Sequence, residues 1–154
     1  MPPPVYSPTN ETRIAGAERR ITRVERRPSV YSVVLEMKVF ADDRVVKTGD
    51  GKFIFTVSED CSGLDLVAAH SYVTFASGGV TVQLRNITRA WDMLSTRMTI
   101  DAAEYSSYTA AAAPVIDPTK NAVVFNERIA VDVDVAGATR GLGVILTFGR
   151  DRRP

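Results

Sequence analysis

The sequence predicts a mainly β protein, in which an antiparallel jelly-roll-like β-sandwich follows a short N-terminal α-helical coiled-coil stalk. Two patterns predict this fold class. Residues 10–27 repeat apolar and charged positions every seven residues, which is typical of a coiled coil. From Val30 onward, short runs alternate apolar with polar residues, and no helical pattern separates them. About eight such strands without interleaved helices favour two packed antiparallel sheets.

Residues 1–9 form the first predicted segment, an extended arm that is rich in proline. Proline fixes φ and removes a backbone donor, so this composition favours a polyproline-like conformation over a globular fold. We expect the arm to act as an anchor that docks into other proteins of a larger assembly.

Residues 10–27 form the predicted coiled-coil helix. Small apolar residues occupy positions a and d, whereas each heptad carries glutamate at e and arginine at g. Position g of one chain reaches position e of the next heptad on a parallel neighbour, so opposite charges would align the chains. The expected seam residues are Ile14 and Ile21 at a and Ala17 and Val24 at d, with the charge pairs Arg13–Glu18 and Arg20–Glu25.

This segment predicts a homo-oligomer, and isoleucine at a with Val24 at d favours a trimer, although Ala17 would also tolerate a close dimer. The alternative is an amphipathic helix on the chain's own domain, but the apolar stripe is narrow for such a docking face. Pro28 ends the helix. So short a coiled coil is marginal in water, and the head must therefore contribute to any oligomer.

Residues 30–149 form the predicted β-sandwich head, followed by a tail at 150–154. Alternation predicts strands around residues 33–39, 52–57, 64–76, 80–87, 97–100, 129–135 and 142–148. Three further features are expected: an edge strand over 44–48, a turn at Thr48-Gly49-Asp50-Gly51, and a hairpin that joins 64–76 to 80–87 through Gly78-Gly79. The alanine run at 110–113 is compatible with one helical turn.

The net charge of +1 does not indicate a nucleic-acid partner, because the clustered arginines of residues 10–27 are matched by glutamates. No apolar run is long enough for a membrane span, and residues 1–8 lack the features of a signal peptide. A single cysteine, Cys61, excludes an intrachain disulfide.

No catalytic constellation emerges, and we expect neither enzyme activity nor a cofactor or metal. His70 is the only histidine and lies in a strand pattern, where a packed or surface role is more common than catalysis. Asp132 and Asp134 share one strand face and are suited to a cation or acid/base pair, but alternation favours the solvent side. Other weak signals read as turns or as an unused glycosylation motif: Asp42-Asp43, Thr48-Gly49-Asp50-Gly51 and Asn86-Ile87-Thr88.

Three aromatic residues, Trp91, Tyr105 and Tyr108, are candidates for a ligand-contacting platform that would stack on sugar rings. A host cell-surface glycan is the corresponding partner. A tryptophan that closes one end of the sandwich explains Trp91 equally well.

The arm, the ERRITRVERR repeat, RNITRAWDMLSTRMTIDAAEYSS and VVFNERIAVDVDVAGATRGLGVILTF together resemble small structural proteins of tailed bacteriophages. The likeness is to the jelly-roll-like domains of minor tail, fibre or head-fibre proteins, and in the head it covers Lys52 to Phe148. It implies a trimeric virion component, anchored by its N-terminus, that displays the sandwich toward a host surface or another virion protein.

Three alternatives compete with this expectation, one among structural proteins and two from other classes. A capsid decoration or head-fibre protein would insert MPPPVYSP between capsomers, and a monomeric carbohydrate-binding module would use Trp91 for sugar recognition. A small hydrolase would require a site built around His70, and we expect none.

Overall fold

The computed structural model describes residues 31–150. The proline-rich arm, the coiled-coil helix with its eight expected interface residues, and residues 151–154 lie outside the described residues. Those expectations therefore stay predictions.

The described chain is mainly β, as predicted. Among residues 31–150 the only helical pieces are two single turns of 3₁₀ helix, at Glu59–Cys61 and Ser107–Thr109, and no helix there is long and apolar enough to cross a bilayer. The strands are β1 Ser32–Lys38, β2 Gly49–Thr56, β3 Asp65–Tyr72, β4 Val80–Asn86, β5 Trp91–Asp92, β6 Leu94–Thr96, β7 Met98–Ile100, β8 Val115–Ile116, β9 Arg128–Val135 and β10 Gly143–Gly149.

Antiparallel pairing organises these strands into two main sheets. The three-stranded sheet has the order β1-β10-β3, and the five-stranded sheet has the order β2-β9-β4-β5, with β7 also pairing with β4. A short third pair joins β6 to β8. The first strand thus pairs with the last and the second with the second to last, and β1 to β4 alternate between the two sheets.

The core lies between the two main sheets and takes side chains from both. Alternation supplies them: Val82 and Leu84 of β4 and Val131 of β9 face Leu66 of β3 and Leu146 of β10 across a common cluster. Every one of these side chains is at most 1% exposed. The prediction of a mainly β fold built from antiparallel sheets is therefore confirmed, and side chains of both sheets contribute to one core.

The predicted hairpin through Gly78-Gly79 is wrong. β3 belongs to the three-stranded sheet and β4 to the five-stranded sheet, so the chain crosses between sheets at this point. Gly78 serves close backbone packing instead, because a Cβ on it would lie 2.9 Å from the carbonyl oxygen of Gly137. Alternation specified the strands but not their partners.

Four local predictions also fail. Residues 44–48 form no strand, since only Val45 makes an isolated bridge, to Arg140. The segment Gly49–Gly51 is the start of β2 rather than a turn, and the register against β9 shifts between Gly49 and Phe53. The alanine run is bent rather than helical, and the 3₁₀ turn comes just before it. The long strand predicted over 64–76 ends as β3 at Tyr72.

Candidate functional site

Four connecting segments meet at one end of the sandwich, and we call this the loop end: residues 39–48, 73–79, 101–114 and 136–142. Backbone hydrogen bonds link all four. The third segment connects to the second through Ala103 N, which donates to Ser77 O over 2.8 Å. The second and fourth join where Thr74 N donates to Arg140 O over 3.0 Å, and the first and fourth where Val46 N donates to Thr139 O over 2.9 Å. The loops therefore form one cross-linked unit.

Close backbone approach at Gly141 tightens the loop end further. Gly141 has φ +69°, and a Cβ there would collide with the side chain of Thr74 and lie 3.0 Å from the Cα of Asp42. The Thr74 hydroxyl in turn donates to the carbonyl oxygen of Arg140 over 3.1 Å. A left-handed glycine packed this closely leaves the loops little freedom to rearrange.

The loop end exposes apolar and aromatic side chains on this rigid frame. Phe75 is 56% exposed and Tyr105 is 63% exposed, and Val45 is also exposed. The Arg140 guanidinium lies 5.6 Å from the centroid of the Phe75 ring. Rigid loops that present exposed aromatic groups lose little entropy on binding, so this surface is suited to contact with another molecule.

Tyr108 and His70 form an aromatic stack on the three-stranded sheet, with ring centroids 3.8 Å apart and planes 17° apart. The His70 Nδ1 lies 3.1 Å from the Ser107 Oγ, which also accepts the Ser71 backbone N–H over 2.9 Å. The tautomer of the neutral ring decides which of the two groups donates. Burial lowers the pKa of His70 below its ordinary value, which favours the neutral ring.

This Ser107–His70 contact was missed by sequence reasoning, which found no partner for His70. The two residues are 37 positions apart, and only the folding of the 101–114 segment onto β3 brings them together. Ser107 is 2% exposed and already satisfies a backbone donor. The hydroxyl of Ser107 therefore holds residues 101–114 against β3, and we call its contacts with His70 and Ser71 the clasp. It lacks the accessibility of a nucleophile.

Tyr72 extends the same face toward β1. Its hydroxyl donates to the Glu36 carboxylate over 2.8 Å, and the Lys38 ammonium lies 4.7 Å from its ring centroid. Burial and the hydrogen bond to Glu36 raise the pKa of Tyr72 to about 12. The ring lies over Gly143, where a Cβ would collide with it. Tyr72 thus bridges all three strands of the sheet.

The three predicted platform residues have separate surroundings. Tyr108 stacks on His70, and Tyr105 stands exposed at the loop end. Trp91 instead starts β5 of the five-stranded sheet, packs against the core and lies under Arg89, 5.1 Å from ring to guanidinium carbon. Its buried indole nitrogen has no hydrogen-bond partner within residues 31–150. These positions match the packing interpretation of Trp91; no contact joins it to either tyrosine in the described chain.

The expectation that Asp132 and Asp134 lie on the solvent side is wrong for Asp132, which is 5% exposed. Its carboxylate accepts from Arg85 Nε over 2.8 Å and from the Gly51 backbone N–H over 2.6 Å. The hydrogen bond to Asp132 raises the pKa of Arg85. Asp134 pairs with Arg97 over 3.0 Å. Each aspartate thus has a cationic partner, which is the arrangement of a paired structural carboxylate.

Alternation along residues 80–87 places Val80, Val82 and Leu84 inward and therefore predicts that Gln83 points outward, but Gln83 is only 5% exposed. Its Nε2 donates to Leu94 O over 3.0 Å and its Oε1 accepts Leu94 N over 3.3 Å. The side-chain amide thus replaces a missing backbone bridge between β4 and β6. A polar cavity of about 480 Å³ opens beside it, lined by Thr81, Asp92, Ser95, Thr96, Arg97 and Thr99 among others.

Asn86 of the glycosylation motif is fully buried, and its Nδ2 donates to Glu127 over 2.9 Å. Burial alone would raise the pKa of Glu127, but hydrogen bonds from Arg89, Asn86 and the Val124 backbone outweigh it and lower that pKa. The motif is therefore part of a buried polar network.

Cys61 is buried in an apolar cavity of about 260 Å³ between β1 and β2, lined also by Phe53 and Phe148. No contact joins it to His70 within residues 31–150. The same residues contain no group of three or more His, Cys, Asp or Glu side chains that could hold a metal ion.

Comparisons with known proteins give no relatives: no family model, no curated protein and no solved structure matches this chain. Function must therefore be argued from the residues themselves.

Proposed function

We propose that this chain is a structural virion protein of a tailed bacteriophage, a trimeric fibre or minor tail protein. Residues 1–9 anchor it to other virion proteins, residues 10–27 join three copies, and the β-sandwich head is displayed toward a host surface or a neighbouring virion protein. The proposal combines the predicted heptad segment with a head whose exposed groups are suited to contact.

The strand order supports a jelly roll for the head. Jelly rolls fold an antiparallel ribbon over itself, so that the first strand pairs with the last and successive strands alternate between sheets. The pairs β1–β10, β2–β9 and β4–β5 follow this order. The bridge between Asp65 and Ala122 supplies a remnant of the remaining pair. Viral capsid and lectin domains use this architecture, which makes a displayed head a physically reasonable role.

The loop end is the observation that carries the proposal. A cross-linked set of four loops exposes Val45, Phe75 and Tyr105 instead of burying them. Exposed apolar groups on a rigid frame mark interaction sites more often than unused surface. A head that makes contacts through this surface needs no catalytic group.

Electron microscopy of purified phage particles tests this function, with a gold-labelled antibody against residues 31–150. We expect labelling at the tail or its fibres. Labelling over the capsid would reassign the chain to the decoration class, and absence from particles would refute a virion role.

A further inference from the structure

We propose that the edge formed by β1 and β2 is an interface between copies of this chain. This inference deepens the proposed function, on which it rests, because it identifies the part of the head that completes the oligomer. We call this surface the open edge. Its occupant is a second copy of the same head.

Both main sheets end in an edge strand on this side of the sandwich: β1 for the three-stranded sheet and β2 for the five-stranded sheet. Their inward-facing side chains are only half-buried, although the corresponding side chains of β9 and β10 are buried. An apolar cavity of about 260 Å³ separates the two strands. The half-buried inward residues are Val33, Leu35, Met37, Phe53 and Phe55.

The outward faces of the same two strands are also apolar. Val34 of β1 is 59% exposed and Ile54 of β2 is 42% exposed, and Tyr31 just before β1 is exposed as well. Apolar groups on both faces of two unpaired strands make a continuous patch that water solvates poorly. Exposed edge strands of this composition invite pairing or packing with another chain.

Other segments of the chain cover the opposite edge of the sandwich, formed by β3 and β4, and we call it the covered edge. Beyond β3, Leu66 N donates to Asn121 O over 2.8 Å, and Val73 N donates to Tyr105 O over 2.9 Å. Beyond β4, β5 and β7 supply further antiparallel partners. Segments 91–100 and 105–123 therefore cover the edge at β3 and β4, whereas no segment within residues 31–150 covers the open edge.

The position of the predicted stalk points to a second copy as the occupant. Ser32 begins β1 only eight residues after Val24, the last seam residue of the heptad segment. A chain of that length spans at most roughly 29 Å. Under the proposed function, copies that are joined over residues 10–27 therefore hold their β1 strands within reach of one another, so that a neighbouring head is available to cover each open edge. A coiled coil this short also requires added contacts from the heads.

Sedimentation velocity of the full-length chain tests the interface by comparing two surface variants, a double variant at the open edge and a single control variant. Val34→Glu and Ile54→Glu together place charge on the open edge, whereas Val67→Glu changes an equally exposed valine on β3 at the covered edge. We expect the double variant to raise the dissociation constant of the oligomer by about tenfold or more, because buried carboxylates would lack partners. The Val67→Glu control should sediment like the unchanged chain.

Thermal unfolding of both variants keeps the result interpretable, since all three side chains are exposed and should leave the head folded. An oligomer that survives Val34→Glu with Ile54→Glu overturns the interface. An unchanged chain that sediments as a monomer also overturns the interface. If the β1 and β2 amides of that monomer were protected from exchange, the open edge would be assigned to the chain's own N-terminal segment. Particle labelling reports on the virion role separately, so either idea can fail alone.

Discussion

The two edges of this sandwich differ in how their outer strands are covered. Every open sheet ends in a strand at either side, and unpaired backbone groups with apolar side chains at such an end favour association. At the covered edge, short strands and clasps such as Ser107 on His70 satisfy β3 and β4 within the chain. At the open edge, β1 and β2 keep half-buried apolar side chains around a cavity. This difference is the basis for the proposed interface at the open edge.

A matched pair of leucines in one sheet gives the largest expected effect. Leu66 on β3 pairs with Phe148 and is 1% exposed, whereas Leu35 on β1 pairs with Leu146 and is half-buried. Leu66→Ala should reduce the free energy of unfolding by about 2 to 5 kcal/mol, the usual cost of a core truncation. Leu35→Ala should reduce the free energy of unfolding by only about 1 kcal/mol in dilute protein, because a half-buried side chain removes less apolar area from water.

Urea unfolding of both variants at several protein concentrations measures this difference. The cost of Leu35→Ala should grow with concentration as the open edge becomes covered, while that of Leu66→Ala should stay constant. Equal costs at all concentrations would contradict the distinction between the edges.

Removing the clasp should have an intermediate effect. Ser107→Ala deprives the Ser71 N–H and His70 Nδ1 of their common partner, so we expect a loss of about 1 to 3 kcal/mol in unfolding free energy. Exchange of the Ser71 amide with deuterium should accelerate. Ser95→Ala is a suitable control, because that exposed hydroxyl makes one long hydrogen bond of 3.3 Å to the Val115 carbonyl. Unchanged protection of Ser71 would show that the clasp does not hold the covered edge.

The smallest expected effect is a pH dependence at the same clasp. The pKa of His70 in the folded head lies below its ordinary value of 6.5, so protonation favours the unfolded chain. The contribution of His70 is complete above about pH 6.5 and declines as the pH falls below it. Unfolding free energies at pH 7.5 and 5.5 should differ more for the unchanged chain than for His70→Gln, which removes the only histidine. An identical pH dependence in both would refute this role.

The sequence predicted the positions of the strands better than their pairing partners. Period-two alternation located β1, β9 and β10 because each directs apolar side chains at alternate positions toward a common core. It could not find the crossing at Gly78-Gly79, since alternation carries no information about which strand pairs with which. Gln83 and Asp132 were assigned to solvent for the same reason: their burial depends on Leu94 and Arg85, which are distant in sequence or in another strand.

The candidate site was less predictable than the fold. Aromatic composition suggested Trp91, Tyr105 and Tyr108 as one platform, but contact between side chains depends on tertiary placement. Val45 and Phe75 could be recognised as loop-end residues only after four distant loops had been brought together. The open edge had one usable signal: β1 and β2 carry apolar residues at consecutive positions, Val33-Val34-Leu35 and Phe53-Ile54-Phe55. Such runs indicate strands that are apolar on both faces.

Hydrogen–deuterium exchange of the full-length chain at high and low protein concentration tests the central claim most directly. If copies meet at the open edge, amides of β1 and β2 should be protected at high concentration and exchange faster on dilution, while β3 and β4 stay protected throughout. Fast exchange of β1 and β2 at every concentration would contradict the account.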